Sequence, residues 1–142
     1  MQPDATGLER FVAAQDPVWP DVVAELTAGR KATHWMWFVF PQIAGLGRSG
    51  MAQRYALASV AEAAAYLDHP VLGPRLRQAT GLMLLHAARP AETILGGIDA
   101  MKFRSSMTLF ALARPEERCF EAALDAFFGG APDPATLERV AG

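Results

Sequence analysis

The segment His34-Trp35-Met36-Trp37 places a titratable imidazole next to two indole rings. Imidazole titrates near neutral pH, so His34 is the candidate general acid–base group if the protein is an enzyme. Lys31 lies three residues earlier and shares its face if the preceding helix continues. Trp35 and Trp37 point in different directions in a helix, so we expect one in the core and one more accessible. The structural alternative is a core-bonded His34 and a solvated Lys31.

A second concentration of polar groups lies at residues 102–108. On a helix, Ser105 and Thr108 share one face, and Lys102 lies one turn earlier. An ammonium and two hydroxyls together could bind a phosphate or a carboxylate. Hydroxyls inside helices also bond back to the preceding turn, so a structural role is the alternative. A Ser–Lys nucleophilic pair is disfavoured, because no third group is placed to orient Lys102 and Ser105.

Residues 45–50 match the G-x-G-x-x-G spacing that is associated with dinucleotide binding. That function requires a strand before the glycines and a second parallel strand after the following helix. Pro41 interrupts the apolar run ahead of the glycines, and the later segments carry helix caps. The motif therefore predicts a loop between helices. Its backbone N–H groups, with Arg48 and Ser49, form a candidate anion site, unless the glycines supply turn dihedrals alone.

The leading hypothesis is one pocket for a small anion, such as a nucleotide or sugar phosphate. The candidate residues are Lys31, His34, Trp35, Trp37, Gln42, Arg48, Ser49, Lys102, Ser105 and Thr108. Arg48 and Lys102 would neutralise the anion, and an indole would stack on a ring. No cofactor is predicted, and the residues leave open whether the protein is an enzyme. The rival hypothesis is a non-enzymatic interaction module or homodimer, which an exposed patch around Trp35 and Phe38 would favour. A third is an internal network that only specifies the fold.

Charge is segregated along a chain whose net charge is only −2. Residues 1–25 and 116–142 each carry a net charge of −4, whereas residues 26–115 carry +6. The positive middle suggests an anionic partner, unless the acidic ends fold back and pair with it. Nucleic acid is not predicted, because the basic residues are dispersed and the chain as a whole is acidic.

Patterns that mark the start of a helix recur along the sequence. Thr6 and Ser59 each open a capping-box pattern, with an acid three residues later, and Asp133-Pro134 is a further helix start. Outside residues 34–44 we find no alternating strand pattern. The sequence therefore predicts an all-α fold of about seven or eight short helices with a glycine-rich aromatic loop.

Composition limits the remaining classes. Hydrophobic residues make up 51% of the 142 residues and charged residues 20%, which suits a single helical domain over residues 1–142. No apolar run approaches the roughly 20 residues of a membrane helix, and the first ten residues do not resemble a signal peptide. Cys119 is the single cysteine, and the three histidines are scattered, so neither a disulfide nor a metal site is predicted. We expect a cytoplasmic protein without a membrane partner.

The order of motifs resembles a family known as domain of unknown function 1810, found in bacteria and some plants. The centre of the resemblance is HWMWF at residues 34–38, FPQ at 40–42 and GLG at 45–47. Further matching positions include Leu8, Arg10, Phe11, Gly29, Arg30, Lys31, Ser49, Tyr55, Tyr66, His69, Pro70, Lys102, Ser105, Ser106, Thr108 and Asp133. The resemblance implies a mainly helical domain and no established activity. Some members carry a calpastatin label, but this apolar, capped chain does not resemble that disordered calpain inhibitor.

Overall fold

Ten α-helices make up the regular structure of residues 7–141, the part of the chain that the computed structural model describes. In chain order they are α1 (Glu9–Gln15), α2 (Trp19–Ala28), α3 (Met36–Val39), α4 (Gly50–Arg54), α5 (Val60–Asp68), α6 (Leu72–Leu84), α7 (Ala91–Leu95), α8 (Gly97–Ala113), α9 (Cys119–Phe128) and α10 (Pro134–Ala141). The predicted all-α class is confirmed. The count exceeds seven or eight because α3 and α4, of four and five residues, lie in the predicted loop region.

Two of the predicted helix starts carry the expected side-chain caps. The Ser59 hydroxyl accepts the N–H of Glu62 at 3.0 Å, and the Glu62 carboxylate accepts the N–H of Ala58 at 3.3 Å. Asp133 accepts the N–H of Thr136 at 3.1 Å at the start of α10. These bonds satisfy helix N–H groups that have no partner within the helix. Thr6, which opens the other predicted capping box, lies outside the described residues.

The aromatic run forms the single turn α3, and the glycine-rich segment after it is closed by backbone pairing. Ile43 and Leu57 form an isolated parallel bridge. Leu57 donates its N–H to the Gln42 carbonyl at 2.9 Å, and Ala44 donates to the Leu57 carbonyl at 2.8 Å. Residues 7–141 contain no β-strand beyond this isolated bridge, so they lack the dinucleotide-binding unit that the glycine spacing suggests.

Helix α8 is the central element of the core and packs against α5, α7, α9 and α10. Its side chains are buried on more than one face, as expected for a helix enclosed by others. Phe103 contacts Phe40 edge to face with ring centroids 4.9 Å apart, and Phe110 lies 5.4 Å from Tyr66 and 5.6 Å from Phe120. These contacts hold the aromatic run of α3 and the following residues against α8. The single domain over residues 1–142 stays a prediction, which the shared core supports.

Ion pairs join the acidic ends of the chain to its basic middle. Arg77 contacts Glu117 at 2.6 Å, and Arg75 contacts Asp16 at 2.9 Å. Arg48, in contrast, forms no ion pair within residues 7–141. The positive middle is therefore neutralised in part by the acidic ends, as the structural alternative requires, and part of its charge stays available.

Candidate functional site

The turn between α2 and α3 is organised by the Glu25 carboxylate. It accepts the N–H groups of Ala32 at 2.6 Å and Thr33 at 2.9 Å, and the Thr33 hydroxyl at 2.6 Å. It also accepts the indole N–H of Trp35 at 3.0 Å. Trp35 is fully buried and Trp37 is partly buried, so Trp35 is the core tryptophan of the pair. Burial of the Trp35 indole depends on this partner for its N–H.

These hydrogen bonds keep Glu25 ionised. Burial acts to raise the pKa of Glu25, but the hydrogen bonds from Thr33, Ala32 and Trp35 outweigh burial and lower the pKa from 4.5 to about 2. An ionised carboxylate only accepts hydrogen bonds, so it can pair with each of the N–H and O–H donors around it.

The two lysines of the chain meet at one aspartate. Lys31 Nζ lies 2.9 Å from Asp99 Oδ2, and Lys102 Nζ lies 3.8 Å from Asp99 Oδ1. Each ammonium also lies over an indole: Lys31 is 5.1 Å from the Trp35 ring centroid, and Lys102 is 5.2 Å from that of Trp37. Four of the ten predicted site residues are therefore neighbours, and Asp99 links their two segments.

The two lysines differ in what they can offer a ligand. Lys31 is only 8% exposed and donates to the Thr33 carbonyl at 2.6 Å as well as to Asp99. Its donors are therefore engaged within the fold. Lys102 has the longer contact to the same carboxylate and is 23% exposed. Lys102 is thus the lysine that can donate to a bound anion.

A cavity of about 280 Å³ lies where the glycine-rich loop, α8 and the start of α10 meet. Its lining residues are Gln42, Leu46, Gly47, Ile98, Met101, Lys102, Ser105, Asp133 and Ala135. Gln42, Lys102 and Ser105 are the predicted site residues that it brings together. The side chains of Ile98 and Met101 are 74% and 72% exposed at its edge, so the cavity combines an ammonium and an amide with apolar walls.

Ser105 and Thr108 attach α10 to α8. Ser105 donates to Asp133 Oδ2 at 2.8 Å, and the Thr136 hydroxyl donates to the same oxygen at 2.6 Å. Thr108 donates to the Arg104 carbonyl at 2.8 Å and accepts the Asp133 N–H at 2.9 Å. The two hydroxyls share a helix face, as predicted, but their hydrogen bonds are made within the fold. Thr108 lines a different cavity from Ser105.

The glycines of the loop have conformational and packing roles. Gly45 has φ +98°, which favours glycine, and the Arg139 guanidinium occupies the space where a side chain would stand. A Cβ on Gly47 would lie 2.4 Å from the Cβ of Ala52, too close for any other residue without a shift. These two glycines therefore allow the loop to turn and to approach its neighbours closely.

The donors that flank the glycines are used in different ways. The Ser49 hydroxyl accepts the Ala52 N–H at 3.1 Å and is the N-cap of α4. Arg48 is exposed, and its side chain forms no hydrogen bond within residues 7–141. Neither residue lines the cavity that contains Lys102. The structure thus separates the predicted loop donors from the predicted lysine site.

His34 is exposed and stands apart from the Lys102 cavity. Within residues 7–141 its ring has no hydrogen-bond partner, so no neighbouring side chain is placed to orient it as a catalytic base. Trp35 and Phe38 are 0% and 6% exposed, so the aromatic segment forms no exposed patch of the kind that a docking surface requires. Neither catalysis by His34 nor dimerisation through these rings gains support from their positions.

The comparisons with known proteins agree with this architecture. The profile of the family described as protein of unknown function (DUF1810) matches residues 5–140. The chain belongs to this family. The crystal structure of the conserved hypothetical protein Rv1873 from Mycobacterium tuberculosis is 50% identical to this DUF1810 chain with a TM-score of 0.96. The match covers 98% of this chain and 99% of that one. A search of curated proteins finds no match.

Two acids of this DUF1810 chain hold predicted site residues in place but were not themselves predicted to do so. Glu25 bonds to residues up to ten positions away, and Asp99 joins two lysines that are 71 positions apart. An acid at the end of a helix, followed by a turn and a buried tryptophan, is a local signal for Glu25. For Asp99, the sequence indicates only the contact with Lys102, which lies three residues later on the same helix. Asp133 was predicted as a cap, but its bond to Ser105 spans 28 positions.

Two general properties of the described part of the DUF1810 chain bear on function. No helix within residues 7–141 has both the length and the apolar character needed to cross a membrane. The same residues contain no cluster of three or more His, Cys, Asp or Glu side chains that could hold a metal ion.

Proposed function

We propose that this DUF1810 protein binds a small molecule with one carboxylate or phosphate group on an apolar body. The site is the cavity between the glycine-rich loop, α8 and the start of α10. The observation that carries the proposal is the pair of donors in one cavity, the Lys102 ammonium and the Gln42 side-chain amide. Within residues 7–141 neither that amide nor the ammonium makes a hydrogen bond. The ammonium has a 3.8 Å ion pair with Asp99 and lies over the Trp37 ring.

The charges around the cavity support an anionic group at Lys102. Asp99 is matched by the closer Lys31, and Asp133 Oδ2 accepts three hydrogen bonds at the start of α10. Because these contacts offset the negative charge of the carboxylate, it repels an incoming anion less. Lys102 can therefore supply a charge-assisted hydrogen bond, and Gln42 a neutral one.

The apolar wall supports a ligand that is more than a simple ion. Ile98, Met101 and Leu46 line the same cavity, and burying them under a ligand would remove apolar surface from water. The cavity volume of about 280 Å³ suits a fragment-sized molecule. Lys102 lies over the Trp37 ring, which keeps the ammonium near the aromatic run. Trp37 itself does not line the cavity.

The proposal is tested by titration calorimetry against nucleotides, sugar phosphates and aliphatic or aromatic carboxylates. For any probe that binds, Lys102→Gln should weaken affinity by about tenfold or more, since a charged hydrogen bond is lost. Arg118→Gln is the matched control, because Arg118 is 79% exposed and lies outside the cavity. Absence of binding by every probe, or equal affinities in the wild type and Lys102→Gln, would overturn the proposal.

A homodimer is the second candidate, and exposed apolar side chains favour it at a different place from the aromatic segment. Ile98 and Met101 are one turn apart on α8 and are among the most exposed large hydrophobic residues of the described chain. Light scattering at micromolar concentration tests this candidate. A dimer mass that Met101→Gln returns to the monomer value would support it, and a monomer mass in the wild type would exclude it.

A further inference from the structure

A second cavity, of about 370 Å³, lies at the junction of α8, α9 and α10. Ala111 and Leu112 of α8, Leu124 of α9 and Leu137 of α10 give it apolar walls. Leu112 and Leu137 are 39% and 38% exposed, so these walls are partly open to solvent. The cavity differs from the Lys102 site and is independent of the function proposed for that site. An open apolar concavity of this size can hold a small molecule.

The polar edge of this second cavity is acidic. Glu121 lines it, and its nearest basic group is Arg118 Nη2 at 3.9 Å, on a side chain that is 79% exposed. Asp125 lies one turn further along α9 and has no ion-pair or hydrogen-bond partner for its side chain within residues 7–141. A Cβ on Gly130, another lining residue, would lie 3.0 Å from Asp125 Oδ1, which places this second carboxylate at the same edge.

Among residues 7–141, no basic side chain lines the second cavity to balance these acids. Its hydroxyl, from Thr108, is engaged with the Arg104 carbonyl and the Asp133 N–H. The side-chain polar atoms that remain free to contact a ligand at this edge are therefore carboxylate oxygens. These atoms accept hydrogen bonds and attract cations. An anionic ligand would be repelled, and a neutral ligand would gain no charge-assisted contact from the carboxylates.

We propose that the α8–α9–α10 cavity binds a small hydrophobic cation, with its apolar body against Leu112, Leu124 and Leu137 and its ammonium or guanidinium group at Glu121. Apolar burial favours the body, and a charge-assisted hydrogen bond to Glu121 orients the head group. The two cavities then have opposite charge preferences on the two sides of the contact between α8 and α10. Ser105 lines the first cavity and Thr108, three residues later, lines the second.

The test uses pairs of probes that have similar shape and opposite charge. Hexylamine and phenethylamine are titrated into the isotopically labelled full chain, with hexanoate and hydrocinnamate as the anionic partners of each. Backbone amide shifts are followed by NMR. The amines should shift amides of residues 108–112, 121–130 and 137, and the carboxylates should leave these amides unchanged.

Variants then separate the head group from the apolar walls. Glu121→Gln should weaken amine binding by about fivefold, the scale of an ion pair that keeps some solvent contact. Leu112→Ser should weaken both amines while keeping their preference over the carboxylates. Glu92→Gln is the matched control, because Glu92 is exposed on α7, away from the cavity.

Three results would overturn the proposal. They are the absence of amine-induced shifts at these amides, equal shifts with the carboxylates, and an amine affinity that Glu121→Gln leaves unchanged. Correct folding of each variant is verified from the unchanged amide spectrum of α5 and α6. Because the probes are cations, failure here leaves the Lys102 proposal standing, and failure there leaves this one standing.

Discussion

Ser105 and Ser106 are neighbours on α8, yet their hydroxyls are in opposite situations. Ser105 donates to Asp133 at 2.8 Å, whereas the Ser106 hydroxyl is fully buried without a hydrogen-bond partner within residues 7–141. A buried hydroxyl that lacks a partner costs about 1–3 kcal/mol. Ser106→Ala removes that cost and improves helix propensity, so it should raise the free energy of unfolding by about 1 kcal/mol.

Chemical denaturation of the two alanine variants checks this prediction. Ser105→Ala is the neighbouring control and should lower the free energy of unfolding by about 1 kcal/mol, because it breaks the bond to Asp133. Equal effects of the two variants, or a loss of stability in Ser106→Ala, would contradict the assignment of the unpaired hydroxyl.

The Glu25 carboxylate gives a prediction about pH. Its pKa falls from 4.5 in an unperturbed carboxyl to about 2 in the folded chain, so the folded state favours the ionised form. The stabilisation is therefore fully present above about pH 4.5 and is lost as the pH falls towards 2. Glu25→Gln should destabilise the protein at pH 7, and the difference from the wild type should shrink as the pH falls.

Urea denaturation at pH 7 and pH 3 provides the measurement, with Glu92→Gln as the control for losing one exposed carboxylate. The result that would count against the prediction is a wild-type advantage over Glu25→Gln that is as large at pH 3 as at pH 7. It would mean that the side chain contributes by shape rather than by charge.

At the scale of elements, the sequence could predict the features that depend on local signals but not those that depend on long-range contacts. The starts of α5 and α10 were readable because Ser59 and Asp133 cap them within three residues. The path of residues 34–58 was not readable, because it depends on contacts that no local pattern contains. One is the bridge between Ile43 and Leu57, and another is the bond from Arg139 to the Ala44 carbonyl, 95 positions away.

The attachment of α10 depends on Asp133. Its Oδ2 atom accepts hydrogen bonds from Ser105 and from the N–H and hydroxyl of Thr136. Asp133→Ala removes the cap and the link to α8 together, so it should lower stability by about 1–3 kcal/mol. Amide hydrogen exchange should accelerate most in residues 134–141.

Glu138→Ala, an exposed change on the same helix, is the control for Asp133→Ala and should leave exchange near its wild-type rate. Uniform acceleration over the whole chain in Asp133→Ala would show that α10 does not open separately. The expected pattern is instead a local opening that starts at this helix.

At the scale of the whole molecule, the segregation of charge in the sequence has two consequences in the fold. Part of it is cancelled, as Arg75 and Arg77 pair with Asp16 and Glu117 from the two acidic ends. The remainder leaves one cavity with Lys102 and another with Glu121. The sequence indicated an anion site in the positive middle, but it could not show which donors meet in three dimensions. Gln42, Lys102 and Ser105 meet in one cavity, whereas His34, Arg48 and Ser49 lie outside it.

Gln15 tests how far the whole fold depends on one buried polar side chain. Its amide donates to the Phe38 carbonyl at 2.6 Å and to the Tyr66 hydroxyl at 3.0 Å, and its oxygen accepts from Arg75 at 3.4 Å. These bonds connect α1 with α3, α5 and α6. Gln15→Leu keeps a similar volume but leaves the Phe38 and Tyr66 groups without this donor in the core, so it should cost about 2–4 kcal/mol.

Gln78→Leu is the matched control, since Gln78 is an exposed residue of α6 and has no side-chain hydrogen bond within residues 7–141. Thermal and denaturant unfolding should show a large loss for Gln15→Leu and a change within about 0.5 kcal/mol for Gln78→Leu. Equal stabilities of the two variants would mean that apolar packing alone joins the four helices. A loss confined to Gln15→Leu would place the polar network among the interactions that determine how they pack.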